Sequence, residues 1–308
     1  LPTGHPVDAR PPAHTRAILL AFLVTSLWSS SWVLIKIGLD DIPPLTFAGL
    51  RYAGAFLCLL PLALRRPHLD RLGRLGPGHW PLLIALGLVM YTVTQGAQFL
   101  ALDRLPAATV SLLLSFSPAV VALLGTAFLA ERTRPAQWAG IGVYLIGAAV
   151  FLYPTGFAQH QLAGLAIAAL GLLANASAAV LGRAANRTGT PGPLVVTTVS
   201  MGAGAAVLLA VGLMTQGLPA LPVTGWVIVG WLAVVNTAVA FTMWNLTLRT
   251  LSATESSVIN NTMLIQVAVL AWVFLGESLE LRQVCGLAVA SLGVLVVQLC
   301  RGRASRIC

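Results

Sequence analysis

Apolar residues are gathered in long runs, broken by short segments that collect prolines and arginines. Ten runs can be marked, near residues 17–37, 45–64, 81–101, 107–129, 135–152, 162–182, 193–214, 225–248, 254–275 and 281–300. Their length, roughly 18 to 24 residues, is what an α-helix needs to cross a hydrocarbon layer about 30 Å thick. The gaps hold Pro43-Pro44, Pro77 with Pro81, Pro106, Pro135, Pro154, Pro191 with Pro193, and Pro219 with Pro222, residues that end helices and open turns. Membrane-spanning strands are much shorter, and lipid tolerates only segments that satisfy their own backbone hydrogen bonds. The pattern therefore predicts an all-α integral membrane protein of ten transmembrane helices.

Arginine placement orients the spans. With a cytoplasmic amino terminus, one side receives Arg10, Arg16, Arg65, Arg66, Arg71, Arg74, Arg132, Arg134, Arg183, Arg187, Arg249, Arg301, Arg303 and Arg306, against Arg104 and Arg282 on the other. Basic residues accumulate in cytoplasmic loops, so both termini are expected in the cytoplasm. Residues 102–152 also reappear 146 positions later as 248–298, with Leu105, Ala107, Ser111, Phe128, Glu131, Gln137, Gly140 and Gly147 matched by Leu251, Ala253, Ser257, Phe274, Glu277, Gln283, Gly286 and Gly293. Five spans is an odd number, so the copies enter the membrane from opposite sides, as in carriers that open alternately to two faces. The expected organisation is a disordered tail over 1–15, two inverted five-helix repeats over 16–152 and 153–300, and a basic tail over 301–308.

Polar residues inside spans are costly unless paired or facing a wet cavity, so their helical placement matters. Thr25, Ser29, Trp32 and Lys36 form a stripe on span 1 that Trp28 adjoins. Tyr91, Gln95 and Gln98 share a face of span 3, and Ser111 and Ser115 share one with Pro118 on span 4. Asn175 lies in span 6, and Asn236, Trp244 and Asn245 in span 8. Span 9 is the most polar, with Ser257, Asn260 and Asn261 among its side chains. These residues are the candidates for a substrate cavity. The competing reading is that serines, threonines and amides only bond helix to helix.

Lys36, the only lysine, is expected to anchor an anionic group, to pair with Asp40 or Asp41, or to snorkel. Arg51, two turns into span 2, is expected to pair with helix-end carbonyls or an acid. No carboxylate lies mid-span: Glu255 begins span 9, while Glu131 and Glu277 close spans 4 and 9, so proton coupling is not evident. Gly140, Gly142, Gly147, Gly286 and Gly293 permit close helix approach, with internal packing favoured over a dimer seam.

Only 9% of residues are charged against 57% hydrophobic, where a soluble domain has about a quarter charged. The net charge of +9 is scattered among loops, so no basic face for nucleic acid is expected. The four cysteines have no ligand-like spacing, no metal or cofactor motif is present, and no nucleophile or phosphate loop supports an enzyme.

The sequence Trp28-Ser29-Ser30-Ser31-Trp32 through Lys36, followed by Pro44 and Arg51, resembles the start of EamA-type carriers of the drug/metabolite transporter superfamily. The same holds for Ser117-Pro118-Ala119-Val120-Val121-Ala122 through Glu131, and for Ala253-Thr254-Glu255-Ser256-Ser257 through Gly276-Glu277. The resemblance implies ten helices, a central cavity and movement of amino acids or other small metabolites, often outward, across a bacterial inner membrane. It also marks Lys36, Arg51, Glu131, Glu255 and Glu277 as recurring positions. One departure is that Met263-Leu264 stand where span 9 of such carriers has the proline matching Pro118, which puts the kink of that span in question. The expected function is export of small polar or zwitterionic metabolites, such as amino acids, by a cofactor-free carrier. A sugar-phosphate or nucleotide-sugar exchanger ranks second, because few cations converge, and a membrane enzyme ranks last. Partners are the solute and the lipid bilayer, with monomer or homodimer left open.

Overall fold

The computed structural model describes residues 11–117, 119–121, 135–152, 159–187, 192–247, 250–251, 259–260 and 262–302. Every regular element among them is helical. The order is α1 (Pro11–Gly38), α2 (Pro44–Ala63), α3 (Arg66–Gly73), α4 (His79–Arg104), α5 (Ala107–Leu114), α6 (Pro135–Leu152), α7 (Gln159–Arg187) and α8 (Pro193–Thr215). Next come α9 (Val223–Ala233, continued through Val234–Val239 and Ala240–Thr247), α10 (Met263–Leu275) and α11 (Leu281–Gly302). Among the described residues α1, α2, α4, α7 and α8 contain stretches long and apolar enough to cross a membrane, and the other apolar helices are shorter.

Helix boundaries obey local chemistry. Pro44 and Pro193 sit at the first turns of α2 and α8, where a missing N–H removes a donor that would be unpaired anyway. Gly276, with φ of 66°, ends α10 in the left-handed conformation, which glycine adopts without steric cost. α1 begins at Pro11, earlier than the expected tail allowed, and α3 is a short helix in a segment read as a loop. Leu19, Leu23, Leu57, Val227, Trp231 and Trp272 point outward, an apolar surface that lipid covers. The main core lies between α1, α2, α4, α8 and α9, where Phe47 and Phe99 meet edge to face at 5.2 Å.

α6 and α11 form a glycine seam. A Cβ added at Gly147 would lie 2.3 Å from the Ala290 nitrogen, one at Gly293 2.4 Å from that of Tyr144, and one at Gly286 2.6 Å from that of Phe151. As residue numbers rise on one helix they fall on the other, so the helices run antiparallel. The pairs 147/290 and 293/144 interchange under the 146-residue offset, so the seam joins equivalent positions of the two copies. Gly147, Gly286 and Gly293 thus pack internally, while Gly142 meets nothing within 4 Å. Arg282 caps the end of α6 by donating to the carbonyls of Val150 and Phe151 at 2.7 and 3.2 Å.

Four departures from α-helical geometry also obey the offset. α4 is π-helical over Leu88–Gln95 and α9 over Val234–Val239, beginning 146 positions apart. α5 breaks into a turn at Ser115–Phe116, and the segment before α10 turns at Thr262, the counterpart of Phe116. Proline is therefore unnecessary for the second break.

The seam makes a direct prediction. Gly147→Ala and Gly293→Ala drive a methyl into backbone and should each lower stability by about 1–3 kcal/mol, read as a fall in the melting temperature of detergent-solubilised protein. Gly142→Ala, which meets nothing within 4 Å, should leave it unchanged; three identical melting temperatures would remove the seam as a structural element.

Candidate functional site

The two broken helices meet at a cavity of about 230 Å³. It is lined by Ser111, Leu114, Ser115 and Ser117 around the α5 break and by Asn260, Met263 and Leu264 around the other, with Trp32 of α1, Asn175 of α7 and Val294 of α11 closing it. Leu114 corresponds to Asn260 under the repeat offset, and Ser117 to Met263, so the cavity is built from equivalent positions of both copies. A second cavity of about 260 Å³ lies between α4, α7 and α8, lined by Tyr91, Thr197 and Ser200 among apolar side chains. Asn175 borders both.

Breaking a helix frees carbonyls that nothing in lipid would satisfy, and hydroxyls take them up here. Ser115 Oγ and Tyr144 Oη each donate to the Leu112 carbonyl at 2.7 Å and Ser117 Oγ to that of Leu114 at 2.7 Å, while Thr262 Oγ1 adds a bond of 2.6 Å to the Ile259 carbonyl, which also accepts the Thr262 N–H at 3.1 Å. Asn175 Nδ2 donates to Ser117 Oγ at 2.9 Å, and its amide oxygen brings an acceptor to the junction of the cavities. Trp32 supplies an indole face. No charged side chain lines either cavity among the described residues, so the surroundings suit a small polar solute without net charge.

Other candidates from the sequence hold helices together. Ser29 donates to Gln266 Oε1 at 3.0 Å, and Gln266 Nε2 donates to Thr262 Oγ1 at 2.9 Å and Thr25 Oγ1 at 3.3 Å, so α1 is stitched to α10. Asn236 is fully buried, with Nδ2 directed at the Leu27 carbonyl and at Ser30 and Ser31, which ties α9 to α1. Trp28 packs on Phe241 and Trp244, with ring centroids 5.3 and 5.2 Å away. The expected common face of Tyr91, Gln95 and Gln98 is altered by the π segment, because each inserted residue rotates the downstream side chains by about 100°. Tyr91 lines the second cavity, Gln95 accepts from Tyr52 Oη at 2.6 Å, and Gln98 lines neither cavity.

The charged residues also differ from expectation. Lys36 donates to the carbonyls of Leu102 and Leu105, closing the end of α4, rather than pairing with Asp40 or Asp41. Glu277 accepts from the N–H groups of Ala107 and Ala108 at 2.7 and 3.3 Å, capping the start of α5, where a negative charge is stabilised by unpaired donors and the helix dipole. Lys36 and Glu277 thus grip the α4–α5 turn from α1 and α10. Arg51, 6% exposed, donates from Nε to Thr237 Oγ1 at 3.2 Å inside the α9 π segment, and among the described residues no helix-end carbonyl or acid accepts from it. Glu131, Glu255, Ser257, Asn261 and the Asn245 side chain lie outside the described residues.

Tyr52 was not singled out from sequence, while Ser117 entered only as part of the Ser117-Pro118 motif and Gln266 only as one of the polar residues of span 9. Ser117 precedes a proline in an apolar run, a signal of a helix break that pattern reading can use. Tyr52 and Gln266 acquire their roles only through contacts between distant helices.

The EamA-like transporter family model matches residues 15–153 and again 162–299. A protein of Streptantibioticus cattleyicolor named a probable terminal-alkyne amino-acid exporter is 27% identical over 92% of this chain and 93% of its own length. The inner membrane transporter YedA of Escherichia coli is 28% identical over 90% of this chain and 89% of its own. Of several further relatives, 30% to 34% identical, the chain spans about half the length or slightly less. A crystal structure covering 92% of this chain and 98% of its own superposes with a TM-score of 0.66 at 23% identity, a likeness of fold.

Removing either grip on the α4–α5 turn should be measurable. Glu277→Ala leaves two N–H groups of α5 without their acceptor and should cost about 0.5–2 kcal/mol, as a lower melting temperature that Glu277→Asp restores only in part. An unchanged melting temperature for Glu277→Ala would show that water replaces the carboxylate.

Proposed function

The chain belongs to the EamA-like transporter family, and on that premise we propose that it exports small polar or zwitterionic metabolites, amino acids foremost, by alternating access. The protein is a multi-pass transporter of the bacterial inner membrane type, and its relatives are named as transporters and exporters rather than enzymes. The observation that carries the substrate class is the cavity at the two helix breaks: hydroxyls, two amides and an indole, with no charged side chain among the described residues. A neutral amino acid presents hydrogen-bonding groups at one end and an apolar or polar side chain at the other, which matches such a lining. The name of the Streptantibioticus relative agrees with that class.

A sugar-phosphate or nucleotide-sugar exchanger would want converging cations. The two intramembrane cations available, Lys36 and Arg51, are engaged with carbonyls and with Thr237. This reading therefore ranks below the first.

In the proposed architecture ten spans form two inverted repeats with both termini in the cytoplasm. The Glu277 cap on α5 then closes the outer mouth, and its release would open that end of the central cavity.

Purified protein in liposomes should show counterflow of one or more neutral amino acids across a metabolite panel. Asn260→Leu, which gives the second repeat the residue of the first, and Asn175→Ala should each reduce the preferred flux by roughly two- to tenfold, the loss of one hydrogen bond, with melting temperature kept. Flux confined to phosphorylated solutes would overturn the substrate class, and wild-type flux in both variants would take the cavity out of the transport path.

A further inference from the structure

At the end of the bundle that carries Arg65, Arg66, Arg71 and Arg74, a third cavity lies between α2, α3, α4 and α8. It holds about 420 Å³ and is walled by Phe56, Leu60, Leu72, Ile84, Val195 and Val199, among other apolar groups. This is the size of a small-ligand site and larger than either of the two cavities that Asn175 borders. An apolar space left unfilled sacrifices contacts on every wall. Two polar groups interrupt the lining. Thr198 is 4% exposed, and neither its Oγ1 nor Nδ1 of His68 has a hydrogen-bond partner. Buried polar atoms are normally paired, and these two stand unpartnered within the wall of an otherwise apolar cavity.

The segment that contributes α3 to the cavity wall has a definite charge. α3 turns His68 and Leu72, one helical turn apart, into the cavity, while Arg66, Asp70 and Arg71 are exposed. Four arginines against one aspartate occupy residues 65–74, and among the described residues no ion pair engages them. Trp80, in the cavity wall and 40% exposed, is the kind of residue that sits at the headgroup level. A basic helix that walls an apolar pocket at that level is the pattern expected of a lipid headgroup site.

We propose that this cavity binds an anionic phospholipid. One acyl chain fills the apolar space, and the phosphate lies against the arginines of the α3 segment. A neutral lipid would leave the arginines unmatched, and a free anion would leave the cavity empty; one molecule with both parts accounts for both. α8 links this site to the proposed transport path, since Val195, Thr198 and Val199 face the lipid cavity while Val196, Thr197 and Ser200 face the second cavity at Asn175. Lipid occupancy therefore sets the position of a helix that also borders the substrate region.

The test adds dioleoylphosphatidylglycerol or dioleoylphosphatidylcholine to the full chain in detergent and tracks the melting temperature. Phosphatidylglycerol should raise it by about 2–4 °C or more over phosphatidylcholine, the shift a saturating ligand gives a chain of this size. The increment should vanish in Arg66→Gln/Arg71→Gln/Arg74→Gln and in Ala203→Leu, which fills the cavity. Ala63→Leu at the mouth serves the same purpose should Ala203→Leu not fold. Equal protection by phosphatidylcholine, equal protection by glycerol phosphate, or an increment that survives both variants would each overturn the proposal. So would a change of oligomeric state in the cavity variants with no response to lipid, which would assign the face to a second copy.

Discussion

Inside a bilayer a backbone group that loses its helical partner has no water to turn to, and this constraint governs where the protein departs from simple helices. The α4 π segment is matched by Thr94 donating to the Val89 carbonyl and the α9 one by Thr237 donating to that of Leu232, each at 2.8 Å and each across five residues. At the α5 break Ser115 and Ser117 do the same work, and at the other break Thr262 does. Hydroxyls are thus placed where the ladder opens. Irregular backbone at membrane depth is tolerated where it is buried in protein or lines a cavity, and the central cavity lies against both breaks.

The same four departures separate scaffold from site. Their matched positions in the two copies, together with the antiparallel glycine seam of α6 and α11, belong to a frame shared by both repeats. The side chains around the cavity are not shared. Leu114 faces the axis where its counterpart is Asn260, and Ser117 where its counterpart is Met263. A symmetric frame supports motion between two equivalent states, while an asymmetric lining gives the cavity chemical polarity. On the proposed function, specificity resides in those unequal pairs.

Polarity inside a span has proved to mean several different things. Ser29, Asn236, Gln266 and Arg51 bond helix to helix, whereas Ser111, Ser115, Asn175 and Asn260 line a cavity. Composition does not separate the two groups, because an amide satisfies its hydrogen bonds equally well against a neighbouring helix or a solute. The charged pair Lys36 and Glu277 belongs to neither: both hold the turn between α4 and α5 through backbone groups.

The all-helical character, five of the apolar spans and the duplication were legible from the chain itself, because hydrocarbon thickness sets the length of apolar runs and a gap-free offset preserves register. The close-packing role of Gly147 and Gly293 was legible as well, since small residues at matched positions have few other uses in a membrane. Helical phase was not. A π segment rotates every later side chain, so the stripe of Tyr91, Gln95 and Gln98 read on an ideal helix is dispersed, and the break at Thr262 forms without the proline that would announce it. The partners of Arg51 and Lys36, and the amphipathic α3 over its apolar cavity, were equally out of reach. Each depends on which distant helices become neighbours, and that is decided by packing the whole bundle rather than by any local run of residues.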